Sequence, residues 1–250
     1  MPIPLVLAHR GYTNGFVENT LAAFTAARRL GADGVELDVR RTADWALAVH
    51  HAANLPDGRP LADVAARDLP EDVPLLADVL GACQGMSVVN VEVKHDPVAD
   101  PDRALAGVVA AALVDGPLVD GPLVDGAVVD GGRAARVMVS SFDVPTLDVL
   151  RNAGLPVGWL LRPVDDVAAS LPKAVDRGYV AVHPFVTGVD QALVDAAHAA
   201  GLGVNVWTVN HPADQTAMVA FGVDAIITDR LVEAVELVHG TKSNGETPGW

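Results

Sequence analysis

Short β-branched runs alternate with segments of helical period along the whole chain. Strands are expected at residues 6–9, 34–39, 87–94, 136–141, 157–161, 179–183, 203–208 and 224–228, where Val, Ile and Leu cluster between glycine or polar breaks. Helical spacing is expected at 75–83, 101–114, 144–153, 165–176, 189–200, 212–221 and 230–238, several of these segments closed by a glycine. Another helix, the first in the chain, follows Glu18-Asn19-Thr20. Leu21, Phe24, Ala27 and Leu30 recur at its period, Asn19 or Thr20 can cap it, and Gly31 ends it. Eight strand and helix pairs in alternation imply a parallel sheet with crossover helices, and eight is the count at which such a sheet closes. The expected fold is α/β, a (β/α)8 TIM barrel forming a single domain over residues 1–239. Residues 240–250 lack apolar periodicity and are expected to form a flexible tail.

Two segments fall outside the alternation. Residues 46–51 read as a short extra strand folding back beside the second one. Residues 115–126 repeat every five residues as Asp-Gly-Pro-Leu-Val, too rich in Pro and Gly for a helix, and read as a surface loop lengthening the connection from the third helix to the fourth strand. The period matches no calcium-binding turn.

Composition narrows the function classes. The chain is 50% hydrophobic but only 4% aromatic, so its core must be built from Ala, Val and Leu, as suits helices packed on a Val-rich sheet. A net charge of −15 repels nucleic acid and anionic lipid surfaces, so neither is an expected partner and an anionic substrate must be attracted locally. The lone Cys83, at a helix end, reads as a small buried thiol. The first eight residues are too short before His9-Arg10 to be a secretion signal, and no run of about 18 apolar residues could span a membrane. A soluble, cytoplasmic protein is expected, with no signal for oligomeric state.

The reactive side chains cluster at strand ends: His9-Arg10, Glu36 and Asp38, His50-His51, then Glu92 and Lys94. In a barrel these all reach one edge, the edge that carries the chemistry. Glu36 and Asp38 are two apart on a strand and point the same way; turned inward, they would repel unless a cation joined them. Glu92 adds a third carboxylate, and three such groups suit a hard divalent ion such as Mg2+ or Ca2+ better than zinc. The pair could instead be solvated residues on a half-exposed strand, a reading weakened by Glu92. Two histidines, His9 and His51, can divide a phosphoryl transfer between base and acid, while Arg10 and Lys94 supply fixed positive charge for phosphate oxygens. Each of these four would, alone, be an ordinary polar residue.

Together the segments His9-Arg10-Gly11, Glu18-Asn19-Thr20, Gly34-Val35-Glu36-Leu37-Asp38-Val39, Val49-His50-His51, Asn90-Val91-Glu92-Val93-Lys94, Ser140-Ser141-Phe142, Val206-Trp207-Thr208-Val209-Asn210 and the run from Gly222 to Arg230 resemble the glycerophosphodiester phosphodiesterase family in the family's order. The resemblance implies a (β/α)8 barrel hydrolysing glycerophosphodiesters to sn-glycerol 3-phosphate and an alcohol with a divalent cation. It places the metal carboxylates on Glu36, Asp38 and Glu92, the catalytic histidines on His9 and His51, and phosphate binding on Arg10 and Lys94. Phe142 and Trp207 fall in the substrate pocket, although a core or rim Trp is the plainer account of Trp207.

The chain departs from the family pattern at Ala52, where an Asp usually follows the second histidine, and at Val17, usually Pro; residues 52–74 form a short version of the family insertion. The lost Asp could have oriented an imidazole. Spacing from Glu36 favours His51 over His50 as the working residue. Two alternatives keep the same site. One is a lysophospholipid or sphingolipid substrate, needing an apolar lip for which Phe16, Leu55, Phe142, Phe185 and Val186 are candidates; the other is a barrel that binds a phosphodiester without turnover.

Overall fold

The computed structural model describes residues 3–114, 123–124, 127–128 and 136–240. Eight parallel strands close into a barrel: β1 (Leu5–His9), β2 (Gly34–Arg41), β4 (Val88–Val93), β7 (Arg136–Ser141), β8 (Val157–Leu161), β9 (Ala181–Pro184), β10 (Gly203–Val206) and β11 (Ala225–Thr228), the last pairing back onto β1. Helices α1 (Leu21–Arg29), α2 (Leu76–Ala82), α3 (Ala104–Val114), α4 (Val144–Asn152), α5 (Val167–Asp176), α6 (Gln191–Ala199), α7 (Pro212–Phe221) and α8 (Leu231–His239) alternate with them. The barrel expected from periodicity is the barrel formed.

The extra strand is β3 (Leu47–Val49), antiparallel to the upper end of β2 with Val39 opposite Val49. Between β3 and α2 the chain makes two short turns, Leu61–Asp63 and Ala66–Asp68, over a small satellite core of Ala48, Leu55, Leu61, Val64 and Val73. Within the pentapeptide repeat only the two-residue strands β5 (Leu123–Val124) and β6 (Ala127–Val128) are described, forming an antiparallel pair that joins β7 through Ala127 and Arg136. The rest of the expected surface loop, and the expected tail beyond residue 240, lie outside the described residues. No helix among those described is long and apolar enough to cross a membrane.

Strand alternation sorts the two faces. Val35, Leu37 and Val39 on β2, with Val89, Val91 and Val93 on β4, face the helices and are buried in the main core. Their neighbours Glu36, Asp38, Asn90 and Glu92 therefore point into the barrel. Each buried Val or Leu contributes about 1.5–3 kcal/mol, and that apolar outer layer is what holds the inner carboxylates out of water. Gly34 starts β2 because a Cβ there would come within 2.3 Å of the Val88 carbonyl oxygen.

Element ends depart from periodicity by a few residues, for local reasons. The third helix begins at Ala104 rather than 101, because the Asp100 carboxylate accepts the backbone N–H groups of Ala104 and Leu105 at 2.8 and 3.0 Å. Thr20 caps α1 by accepting from the Ala23 N–H at 3.2 Å. Asn19, the other candidate cap, is turned elsewhere. Cys83 is buried at the end of α2, and burial pushes its thiol up to about 12, as an inert core thiol requires.

Candidate active site

The three carboxylates meet. One oxygen from each of Glu36, Asp38 and Glu92 lies within 4.8 Å of the others, and all three side chains are buried. Glu36 and Asp38 come from alternate positions of β2, and Glu92 stands opposite Asp38 in the β2 and β4 register. The alternative of solvated residues on a half-exposed strand is excluded, since Asp38 is 0% and Glu36 5% exposed.

Such a cluster is held by cations of the chain itself. Lys94 Nζ lies 2.8 Å from Asp38 Oδ1 and 2.5 Å from Glu92 Oε1, and Arg10 Nε is 3.3 Å from Asp38 Oδ2. Neither Asp38 Oδ1 nor Arg10 Nε makes an aligned hydrogen bond, so the oxygen keeps acceptor capacity for another partner. Burial alone would raise Asp38, yet Lys94 and Arg10 beside it hold its carboxyl down to about 2. Glu36 has no such direct cation: burial and the Asp38 charge push it up to about 8. Burial also raises Glu92, against the pull of Lys94.

The loop after β1 is shaped around this cluster. Arg10 and Asn19 both adopt left-handed backbone, with φ of 56° and 59°, and the Asn19 N–H donates to the Arg10 carbonyl at 2.9 Å. Holding non-glycine residues there costs about 1 kcal/mol or more each. The arrangement delivers the Asn19 amide to Asp38 Oδ2 at 2.8 Å and the Arg10 guanidinium between Asp38 and Glu18, whose carboxylate it meets at 3.0 Å.

His9 stands at the end of β1 with its Nδ1 2.7 Å from Asp229 Oδ1 and its Nε2 3.9 Å from Glu36 Oε2. Asp229 follows β11 and is itself fixed by Asn210, which donates to its carboxylate at 2.6 Å and accepts its backbone N–H at 2.9 Å. Burial would depress the His9 imidazole, but the Asp229 hydrogen bond and the Glu36 charge raise it above its ordinary value.

The two candidates for the second histidine separate. His50 turns to the Asn54 carbonyl, 3.2 Å from its Nε2. His51 lies close enough to the cluster to feel Asp38, Lys94, Arg10 and Glu18; burial and the two cations outweigh the carboxylates and bring it down to about 4. Its backbone carbonyl accepts from Arg40 Nε at 2.8 Å. With Ala52 in the following position, no hydrogen bond to the His51 ring is made among the described residues.

Across the mouth, Trp207 stands between Phe142 and Phe185, with ring centroids 5.5 and 5.2 Å away in edge contacts. Its indole Nε1 donates to the His183 carbonyl at 2.7 Å. Leu55, a candidate for an apolar lip, is instead buried in the satellite core at 3% exposure, because the short insertion has to bury its own apolar residues. Phe16 packs on Tyr12 at 6.1 Å, while Phe142, Phe185 and Val186 stay half-buried at the strand ends.

Asp229, Asn210, Glu18 and Arg40 take part without having been assigned roles from sequence, and Asn19, expected as a helix cap, donates to Asp38 instead. Asp229 carried a signal: a carboxylate directly after a buried strand, at the edge where His9 ends. Arg40 carried one too, two residues beyond Asp38 and in phase with it.

The family model for the glycerophosphoryl diester phosphodiesterase family matches residues 9–233. A glycerophosphodiester phosphodiesterase of Caldanaerobacter subterraneus is 30% identical over 256 residues, covering 94% of this chain and 98% of its own. Among solved structures, a glycerophosphodiester phosphodiesterase from Thermotoga maritima has a TM-score of 0.76 at 24% identity, covering 94% of this chain and 98% of its own. An Oleispira antarctica phosphodiesterase in complex with the product sn-glycerol-3-phosphate has a TM-score of 0.78 at 20% identity, covering 96% and 98%. At those identities the two structures speak for the shared fold.

Proposed function

The chain belongs to the glycerophosphoryl diester phosphodiesterase family, and we propose that it hydrolyses glycerophosphodiesters to sn-glycerol 3-phosphate and an alcohol, at the barrel mouth, with a divalent cation and histidine acid–base catalysis. The observation that carries this reading is the convergence of Glu36, Asp38 and Glu92 within 4.8 Å beside His9, Arg10 and Lys94.

Mg2+ or Ca2+ fits the donor set. The ligands are all oxygen, three buried carboxylates crowd one point, and Asp38 Oδ1 is buried with no aligned donor. When bound, the ion would withdraw charge from the non-bridging phosphate oxygens as a Lewis acid. Glu36, Asp38 and Glu92 would hold it.

The chain's own groups supply the rest. Arg10 and Lys94 can turn from the carboxylates to the phosphodiester once these are otherwise neutralised, and stabilise charge developing on its oxygens. Attack by water or by a glycerol hydroxyl forms one P–O bond as the bond to the alcohol breaks; in the second case a cyclic phosphate results, and water then adds to phosphorus as the ring P–O bond breaks to give sn-glycerol 3-phosphate. One of His9 and His51 takes the proton from the attacking oxygen, and the other gives one to the departing oxygen. Asp229 keeps the His9 ring turned so that Nε2 faces the cluster.

The substrate in this reading is a small, soluble diester in the cytoplasm, consistent with a net charge of −15 that disfavours anionic membranes and nucleic acid. Burial of Leu55 removes one residue from the lip that a monoacyl lipid would need. The test is a coupled assay for sn-glycerol 3-phosphate, run with chelator and then with Mg2+, Ca2+ or Mn2+ restored, alongside Glu36→Gln and His51→Ala. Activity should vanish with chelator, return with an ion, and be absent in both variants although they stay folded. Near-normal turnover in either variant defeats the proposal, and binding without product release would favour a non-catalytic barrel.

A further inference from the structure

In the closed order β1, β2, β4, β7, β8, β9, β10, β11, the strands β8, β9 and β10 lie directly across the barrel from β1, β2 and β4. The acidic cluster and His9 therefore face a wall made by the residues at the opposite strand ends. Phe185 and Trp207, after β9 and β10, stand on that wall in edge contact, and Phe142, after the flanking strand β7, makes the next edge contact with Trp207. The wall ends in one charge. Arg162, directly after β8, lays its guanidinium over the Phe142 ring with Cζ 5.0 Å from the centroid.

Arg162 is positioned rather than loose. The turn behind it is closed by Asp165, whose carboxylate accepts the Arg162 backbone N–H at 2.6 Å and whose own N–H donates to the Arg162 carbonyl at 3.0 Å. That carboxylate is thereby engaged with backbone, and among the described residues no ion pair neutralises the Arg162 guanidinium. A solvent-facing cation is thus left on the far rim of a site in which Arg10 and Lys94 are tied to carboxylates and Arg40 to the His51 carbonyl.

A diester with its phosphorus at the cluster must send one arm across the mouth. Glycerol, with two free hydroxyls, finds few partners on this wall, because ring edges accept poorly and the indole N–H of Trp207 is already donated to the His183 carbonyl. The alcohol arm is the one that fits there, and its far end arrives at Arg162. A quaternary ammonium would ordinarily seek an aromatic face. Here the Phe142 face is covered by a like charge.

Resting on the proposed phosphodiesterase reading, we infer that Arg162 is a specificity-determining residue that favours glycerophosphodiesters whose alcohol carries an anionic group over those whose alcohol is a quaternary ammonium. The effect is electrostatic, at a solvent-exposed rim, so it should be modest and should shrink as salt is raised.

The experiment compares kcat/KM for glycerophosphocholine, glycerophosphoglycerol and glycerophosphoinositol phosphate in the unmodified protein and in Arg162→Ala, Arg162→Lys and Arg162→Glu, with the divalent ion present. The anionic diester should be favoured over the choline diester by roughly fivefold or more, the size expected of two unit charges about 4 Å apart screened by bulk water. Arg162→Lys should keep the preference, Arg162→Ala should bring the ratio close to one, and Arg162→Glu should reverse it. A choline preference in the unmodified protein, or a ratio that Arg162→Glu leaves unmoved, overturns the inference while leaving the phosphodiesterase reading intact. Failure to hydrolyse any of the three diesters overturns that reading itself, and the inference with it.

Discussion

His9 and Asp229, 220 residues apart in the chain, are joined by a 2.7 Å contact between Nδ1 and Oδ1 across the seam where β11 closes onto β1. The pairing commits Nδ1 to a carboxylate, so Nε2 is the nitrogen presented toward Glu36. Asp229→Asn keeps the shape but removes the charge, and its amide can turn a donor toward the ring. We expect kcat to fall roughly 10- to 100-fold with KM changed far less, the range typical for loss of a histidine's orienting partner. A steady-state comparison at matched far-UV circular dichroism checks this; an unchanged kcat would remove Asp229 from the mechanism.

Cation binding should release a proton near neutral pH. Burial and Asp38 push Glu36 up to about 8 without an ion, and a metal ligand must be ionised. Below that value the ion has to displace the proton, so affinity should rise as pH increases toward about 8 and level off above it. Calorimetric titration of Mg2+ or Ca2+ in buffers of different ionisation enthalpy reads the proton directly. Pure heat of binding, independent of buffer, would contradict the prediction.

Asp143 ties the starts of two helices together. It caps α4 through the Thr146 N–H at 3.0 Å and pairs with Arg103 at 2.6 Å, ahead of α3. Burial opposes its ionisation, but Arg103 and Thr146 hold the carboxyl down to about 2. A depressed carboxyl adds stability above its unfolded pKa, lost as pH falls through the folded one. The contribution should therefore be full above about pH 4 and disappear toward about 2. Asp143→Ala should cost about 1–2 kcal/mol at neutral pH through the lost cap and ion pair, and the deficit should shrink in acid. Urea midpoints at several pH values measure it.

Gly158 on β8 leaves room for a histidine. A Cβ there would fall 2.1 Å from His183 Nε2, and His183 is fully buried inside the barrel, its imidazole pushed down to about 3 by burial. Gly158→Ala must displace that ring, at about 1–3 kcal/mol for overpacking. Because the His183 carbonyl holds the Trp207 indole, Trp fluorescence should shift along with a lower thermal midpoint. A stable variant with unaltered fluorescence would show that the ring has another place to go.

The legible part of this molecule is local. Valines two apart on β2 and β4 bury one face against the helices, and the same period of two turns Glu36, Asp38 and Glu92 the other way. Periodicity thus located both the strands and the carboxylates, while spacing from Glu36 favoured His51 over His50, whose ring turns to the Asn54 carbonyl. Trp207, ambiguous from sequence between core and pocket, is half-buried, its N–H donated to the His183 carbonyl and its ring in edge contact with Phe142.

What stayed hidden depends on closure. Nothing local to His9 names Asp229, because the partner is supplied by the last strand of the barrel, and a sequence window cannot hold both. Leu55 looked like a rim residue until residues 52–74 were seen to fold over their own small core. Arg162 over Phe142 joins the ends of adjacent strands β7 and β8 across a whole helix and its loops.

By itself, then, the order of residues settled the number and direction of the eight barrel strands, the face their side chains take and the three clustered acids, because these follow from a two-residue backbone repeat and from burial of apolar area. Tertiary structure alone decided which groups meet: the cations that lie on Asp38, the carboxylate behind His9, and the charge that ends the aromatic wall. Hydrogen bonds and ion pairs act over about 3 Å, and only the closing of the barrel brings distant parts of the chain within that reach.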